Sequence, residues 1–181
     1  GAEPYYREAL AMNRRLLGDD HPEVARGYNN LANLYDGRGE YERAEELYRE
    51  ARDAVVESGG PDSRMAYFFG LRIAGAQIGR GAAVEAEAAL RRLVERWRSE
   101  LGESHWQIDE GLSLLGESLS VQGRCAEAGP HLAGSFERLL DKAKERTRRD
   151  AFRRLSEHLE RCGEAREIAR FEAMLAGRPA S

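Results

Sequence analysis

Three asparagines, Asn29, Asn30 and Asn33, stand within five positions of the stretch GYNNLANLY. Asparagine is a poor helix former, because its amide competes with the backbone for hydrogen bonds. The same amide carries both donors and an acceptor, so it can match a peptide backbone whatever that peptide's side chains are. Other chemistry-bearing residues are sparse. His21 and His105 follow acidic residues in GDDH and GESH, His131 and His158 are single histidines in helical stretches, and Cys125 and Cys162 fit no metal-ligand spacing. The run Lys144 to Arg154, KERTRRDAFRR, is basic enough to meet RNA, a phosphorylated partner or acidic lipid. Glu145 and Asp150 interrupt it and no glycine-aromatic RNA motif accompanies it, so a solvated helix face is the expectation.

Motifs of catalysis are missing. G-x-S-x-G, H-E-x-x-H, a dinucleotide fingerprint and a phosphate loop do not occur, and SGGPDS, Ser58 to Ser63, lacks the lysine a phosphate loop needs. We therefore expect no enzyme activity, no cofactor and no metal. A net charge of −4 gives no electrostatic reason to expect nucleic acid as a partner. The longest apolar stretch, near MAYFFGL, is too short to cross a bilayer, so no membrane partner is expected. Unpaired cysteines fit a reducing compartment, and the expected location is cytoplasmic.

What must position these residues is helix. One third of the 181 residues are charged, proline is rare, and Ala, Leu, Arg and Glu dominate. The chain also overlays itself at a shift of 42 residues. Ala2-Glu-Pro-Tyr-Tyr6-Arg-Glu-Ala9 falls on Ala44-Glu-Glu-Leu-Tyr48-Arg-Glu-Ala51, and Gly18-Asp-Asp-His21 returns as Gly102-Glu-Ser-His105 two periods later. Gly39, Gly81 and Gly123 keep one phase, and Gly163 follows after two residues are lost. Within a period, Tyr28-x-x-Leu31-Ala32-x-x-Tyr35 and then Ala44-x-x-x-Tyr48-x-x-Ala51 put apolar residues on one face of each of two helices. Later copies read Ile73-Ala74, Leu112-x-x-Leu115-Gly116-x-x-Leu119 with Ala128-x-x-x-Leu132, and Leu155-Ser156-x-x-Leu159. The small residue beside each leucine or isoleucine lets the partner helix approach.

This pattern resembles the tetratricopeptide repeat, with Tyr for Trp and Ala for Gly in the best copy. The longer period and LGDDHPEVARGYNNLANLY are similar to the kinesin-light-chain type of that repeat. The resemblance spans roughly residues 2 to 161. It implies an all-α, right-handed α-solenoid of antiparallel helix pairs, a single domain over 1–181. The expected elements are an orphan second helix at 2–17, repeats at 23–57, 63–101 and 106–141, and a degenerate capping repeat at 145–176. The helix breaks inside them fall near 37/41, 79/83, 122/126 and 161/165. Asp20 and Asp62 suit helix N-caps, and Glu23 adds charge near a helix start. Opening in mid-repeat and ending in a polar tail, the chain is expected to be the C-terminal part of a longer protein. Equivalent sites in a solenoid lie spread along its axis, so His21 and His105 are expected to mark repeat starts rather than to share a metal.

In arrays of this family the first helices line a groove that binds peptide segments. Counting from Ala25 as the first repeat position, groove positions fall on Arg26, Asn29, Asn30, Asn33, Asp36 and Gly37, and the family frequently has asparagine where Asn30 and Asn33 stand. The next two repeats add Phe68, Leu71, Arg72, Gly75 and Ile78, then Glu110, Ser113, Leu114, Glu117 and Ser120. Phe68 and Leu71 beside Gly75 could form an apolar shelf, or the aromatics could pack inside the solenoid. Asn30 could equally bond the neighbouring repeat. The carboxylate clamp of chaperone-binding members needs Lys, Asn, Asn, Lys and Arg at positions that here read Asn29, Asn33, Arg72, Glu110 and Leu114, so only Asn33 fits. The resemblance implies a protein- or peptide-binding scaffold within a larger, bacterial signalling protein. The alternative is an assembly module whose first helix, with Tyr5 and Tyr6, pairs with a second copy or with upstream repeats.

Overall fold

The computed structural model describes residues 1–60, 63–102 and 105–177. They are all-helical, as expected. The order is α1 (Glu3–Leu17), α2 (Pro22–Asp36), α3 (Tyr41–Gly59), α4 (Arg64–Gly79), α5 (Ala83–Leu101), α6 (Trp106–Val121), α7 (Cys125–Lys142), α8 (Glu145–Arg161), a 3-10 turn (Ala165–Glu167) and α9 (Ile168–Ala176). These bounds match the sequence expectation to within two residues, except that the last helix is tightened into a 3-10 turn before Ile168.

The chain divides into two compact units, Gly1–Ala82 and Ala83–Ser181. In the first, α1 to α4 pack each against the next. Its core takes Val24, Ala25, Tyr28, Leu31, Ala32 and Tyr35 from α2, met by Ala44, Tyr48, Ala51 and Val55 from α3 and by Phe69 and Ile73 from α4. Those positions recur every three or four residues, so each helix buries one stripe. Full burial of each large side chain contributes about 1.5–3 kcal/mol. In the second unit α5 to α8 pack in the same sequential way, α6 also meets α8, and α9 closes on α8. Phe136 of α7 packs at a tilt against Phe152 of α8 and meets Phe171 of α9 edge-on, both with ring centroids 5.8 Å away.

Close approach depends on the small residues. A Cβ added to Gly116 would lie 2.6 Å from Leu132 Cγ, so α6 and α7 touch backbone to side chain there. The four in-phase glycines make one turn four times. Gly39, Gly81, Gly123 and Gly163 have φ of 75°, 89°, 77° and 78°, a left-handed conformation costly for other residues. After each, Glu40, Ala82, Arg124 and Glu164 donate a backbone N–H to the carbonyl five residues earlier, at 2.9, 2.8, 3.0 and 2.7 Å. This is the Schellman arrangement that satisfies a helix's last carbonyls.

The N-caps require a correction. Asp20 does not cap α2; His21 does, its Nδ1 accepting from Glu23 N–H at 3.1 Å. His105 does the same for α6, accepting from Gln107 N–H at 3.4 Å. The imidazole nitrogen lies two residues before the amide it accepts from, and Pro22 occupies the first position of α2, where the missing N–H costs nothing. Ser63 caps α4. Asp62 lies outside the described residues.

Candidate functional site

The expected groove residues lie on the first helices of the repeats. On α2, Arg26 and Asn33 are exposed and Asn29 and Asn30 half-buried. Arg26 pairs with Glu23 one turn back. Asn33 Oδ1 accepts from Tyr48 OH of α3 at 2.8 Å, which fixes the amide's orientation. Asn29 Oδ1 is covered and has no hydrogen-bond partner. An unmet buried acceptor costs about 1–3 kcal/mol. On α4, Phe68 is half-buried beneath the Arg72 guanidinium, 5.2 Å from its ring centroid, while Leu71 is buried. Of the two residues expected to form a shelf beside Gly75, only Phe68 keeps accessible surface.

In the second unit Glu117 of α6 does not stand open. It accepts from Arg154 Nε of α8 at 2.8 Å and lies 3.6 Å from Arg153, and Arg154 also reaches Ser113 Oγ at 3.5 Å. Much of the basic run is thereby used inside the fold. Arg148 is buried and donates to Leu140 C=O at 3.2 Å, and Arg149 pairs with Glu145. Ser113 and Leu114 are buried as well.

A second set of polar residues, outside the expected groove positions, repeats along the chain at the junctions between helices. Glu3 of α1 accepts from Tyr35 OH at 2.7 Å, Arg38 at 2.8 Å and Arg7 at 3.1 Å. One period on, buried Glu45 of α3 accepts from Gln77 at 2.9 Å, Arg80 at 2.6 Å and Arg49 at 2.5 Å. Another period on, Glu87 of α5 accepts from Gln122 at 3.1 Å, Arg124 at 2.7 Å and Arg91 at 2.9 Å. Each glutamate ties a helix to the end of the next one. The bonds from Tyr35, Arg38 and Arg7 hold the Glu3 carboxyl down at about 2. Burial alone would raise the Glu45 carboxyl, but bonds from Arg49, Arg80 and Gln77 outweigh it and lower it. Glu87 is likewise lowered, Gln122, Arg91 and Arg124 outweighing burial. The signal was present in the overlay of Glu3 and Arg7 on Glu45 and Arg49.

At the fourth such junction the glutamate is replaced by Gly129, and the residue before the turn glycine is Cys162. Cys162 is disulfide-bonded to Cys125, the first residue of α7, with Cα atoms 5.9 Å apart. This corrects the expectation of unpaired cysteines. Antiparallel packing of α7 and α8 brings together residues that are 37 apart in sequence. Buried His158 is no isolated histidine either, since Nδ1 lies 3.0 Å from Ser120 Oγ and 3.4 Å from Cys162 Sγ. Burial lowers the pKa of His158, and that of half-buried His131 on α7. Among the described residues no helix is long and apolar enough to cross a membrane.

A tetratricopeptide repeat family model matches residues 1–55. No curated protein sequence matches the chain. Among solved structures, BtubC (BKLC) of P. vanneervenii superposes with a TM-score of 0.72 at 20% identity, covering 99% of this chain and 75% of its own. A putative kinesin light chain of Podospora anserina with nearly identical TPR-like repeats gives 0.66 at 17% identity, and a single-substitution variant of that protein gives 0.68 at 17%. Both cover 97% of this chain and 84% of theirs. Identities this low establish the fold alone. The family is generally a protein-interaction scaffold and typically non-catalytic. With the repeat turn and the small-residue contacts in hand, residues 1–55 match the tetratricopeptide repeat and the chain has the fold of kinesin-light-chain-like arrays.

Proposed function

We propose that the chain is a protein- or peptide-binding scaffold, an interaction module of a larger regulatory protein, whose contact face on the first unit is built from Arg26, Asn29, Asn30 and Asn33 of α2 with Phe68, Leu71 and Arg72 of α4. The observation that carries this is the row of amides on α2. Three asparagines that weaken the helix lie on one partly exposed face, and one carbonyl oxygen, Asn29 Oδ1, lacks a donor. Rotation of that amide would offer the acceptor to a peptide N–H. Asn33, held by Tyr48, presents a fixed amide. Phe68 and Arg72 add an apolar and cationic surface for a side chain. Glu117 contributes to this reading only by exchanging Arg154 for a ligand cation. A cytoplasmic setting fits it provided that Cys125 and Cys162 cycle between thiol and disulfide.

The test is a peptide-library selection with the wild-type chain beside an Asn30→Ala, Asn33→Ala double variant. Loss of one or two hydrogen bonds costs about 1–3 kcal/mol, or roughly tenfold to a hundredfold in affinity. A folded double variant that binds the selected peptides at full affinity would overturn the proposal.

A second reading has its own observation. The outer face of α1 exposes Tyr5 at 76%, Leu16 at 68% and Met12 at 49%. Such a face suits a second copy of the chain. Solution mass that rises with concentration, and falls back in Tyr5→Ser, Leu16→Ser, would favour assembly over peptide capture.

A further inference from the structure

The fourth junction carries a chemistry that the other three lack. We propose that the reduced Cys125 and Cys162 thiols, with His158, form a zinc site that the disulfide closes. The ligand atoms of the three residues all lie within 4.8 Å of one another. A tetrahedral zinc with thiolate and imidazole ligands needs those atoms about 3.6–3.8 Å apart, as follows from its usual bond lengths. Opening the disulfide and adjusting side chains by roughly 1–2 Å reaches that arrangement on the same scale.

The surroundings fit. Gly129 stands where the other junctions have glutamate, and a Cβ there would already lie 3.4 Å from His158 Nε2. Larger side chains would fill the space the imidazole uses. Ser120 Oγ, which receives Arg161 at 2.8 Å, sits 3.0 Å from His158 Nδ1, the nitrogen that also lies 3.4 Å from Cys162 Sγ. Zinc on that nitrogen would take the place of the Ser120 contact, and the serine would keep its bond from Arg161. A cavity of about 610 Å³ reaches Cys125, Gly129, His158 and Glu164, leaving room for a water as the fourth ligand. Cys125 and Cys162 are only partly buried, so ion and reductant can enter.

The two states interconvert in balanced steps. A phosphine reductant takes up one oxygen from water to become the phosphine oxide, and its two electrons with two protons convert the disulfide to two thiols. Zinc then binds as both thiol protons pass to solvent. A disulfide oxidant reverses this: its sulfur–sulfur bond breaks as it takes two electrons from the thiolates and two protons from solvent to become two thiols, the Cys125–Cys162 bond re-forms and zinc is released.

The experiment uses the whole chain, reduced with phosphine and desalted under argon, beside the same chain left oxidised. Zinc is titrated against a chromophoric chelator, and cobalt(II) then replaces it for spectroscopy. The reduced chain should take up one equivalent, with a thiolate-to-cobalt charge-transfer band and the visible bands of a tetrahedral site. The oxidised chain should bind at least a hundredfold more weakly, and reduced Cys125→Ser likewise. His158→Gln should lose at least tenfold. Equal zinc uptake by the reduced and oxidised chains, or cobalt bound without the thiolate band, would overturn the proposal. The redox comparison needs no mutation, so it decides the matter even where a variant fails to fold.

Discussion

Glu45 and Gly129 occupy the same place in the repeat, two periods apart. The first is a buried carboxylate gripped by Arg49, Gln77 and Arg80; the second is bare and faces a histidine that lies beside a disulfide. Both junctions tie a second helix to the end of the following first helix, and Cys162 stands where Arg38, Arg80 and Gln122 stand before their turn glycines. The periodic packing tolerates different chemistry at the tie. The fold is set by helix stripes and glycine turns. The tie determines which condition loosens each junction, acid for a carboxylate and a reductant for the sulfur pair.

That comparison can be broken in several places. Reducing the disulfide should cost the most. Chain entropy for a loop of this length gives about 4 kcal/mol, seen as a lower urea midpoint in reductant. A midpoint that ignores the reductant would make the fourth tie ornamental. Glu45→Ala removes a buried acceptor shared by two arginines and a glutamine and should cost about 3 kcal/mol in equilibrium unfolding. Gly116→Ala drives a methyl group into Leu132 and should cost about 2 kcal/mol, whereas the same change at half-buried, helical Gly134 meets only the Arg138 guanidinium and should do less. His21→Ala removes a cap and should cost about 1 kcal/mol, recovered by Asp at the same position.

The smallest effect belongs to acid at the first tie. The Glu3 carboxyl titrates at about 2 in the folded chain against an ordinary 4.5, so it binds fewer protons folded than unfolded. Its stabilisation is complete above the ordinary value and disappears as pH falls through the folded one. Carbon-detected NMR of the Glu3 carboxyl would follow this, and Tyr35→Phe, which removes the foremost of its bonds, should move the midpoint upward.

Much of this was legible from the residues themselves. The stripes of Tyr28, Leu31 and Tyr35 and the phase of Gly39, Gly81 and Gly123 were enough to place the helices and their breaks, because both follow from local periodicity. Asp20 misled because an aspartate before a helix is the commonest cap, and the imidazole of the next residue serves instead. The cysteine pairing was hidden for a different reason. Spacing along the chain carries no ligand pattern, and only the register of α7 against α8 brings Cys125 beside Cys162. The same register recurs earlier in the fold, where Tyr41, two periods before Cys125, lies against Gly79 at the end of α4. The inward use of Glu117 escaped notice because Arg154 reaches it from the next first helix.

The account rests on the fourth junction being chemically separate from the first three, and hydrogen exchange read by mass spectrometry tests that most directly. The chain would be compared oxidised and phosphine-reduced at neutral pH, without metal. The account predicts faster exchange on reduction in α8, the 3-10 turn and α9, with α1 to α4 unchanged. Exchange that rises equally in α1 to α4, or that leaves α8 and α9 untouched, would contradict it.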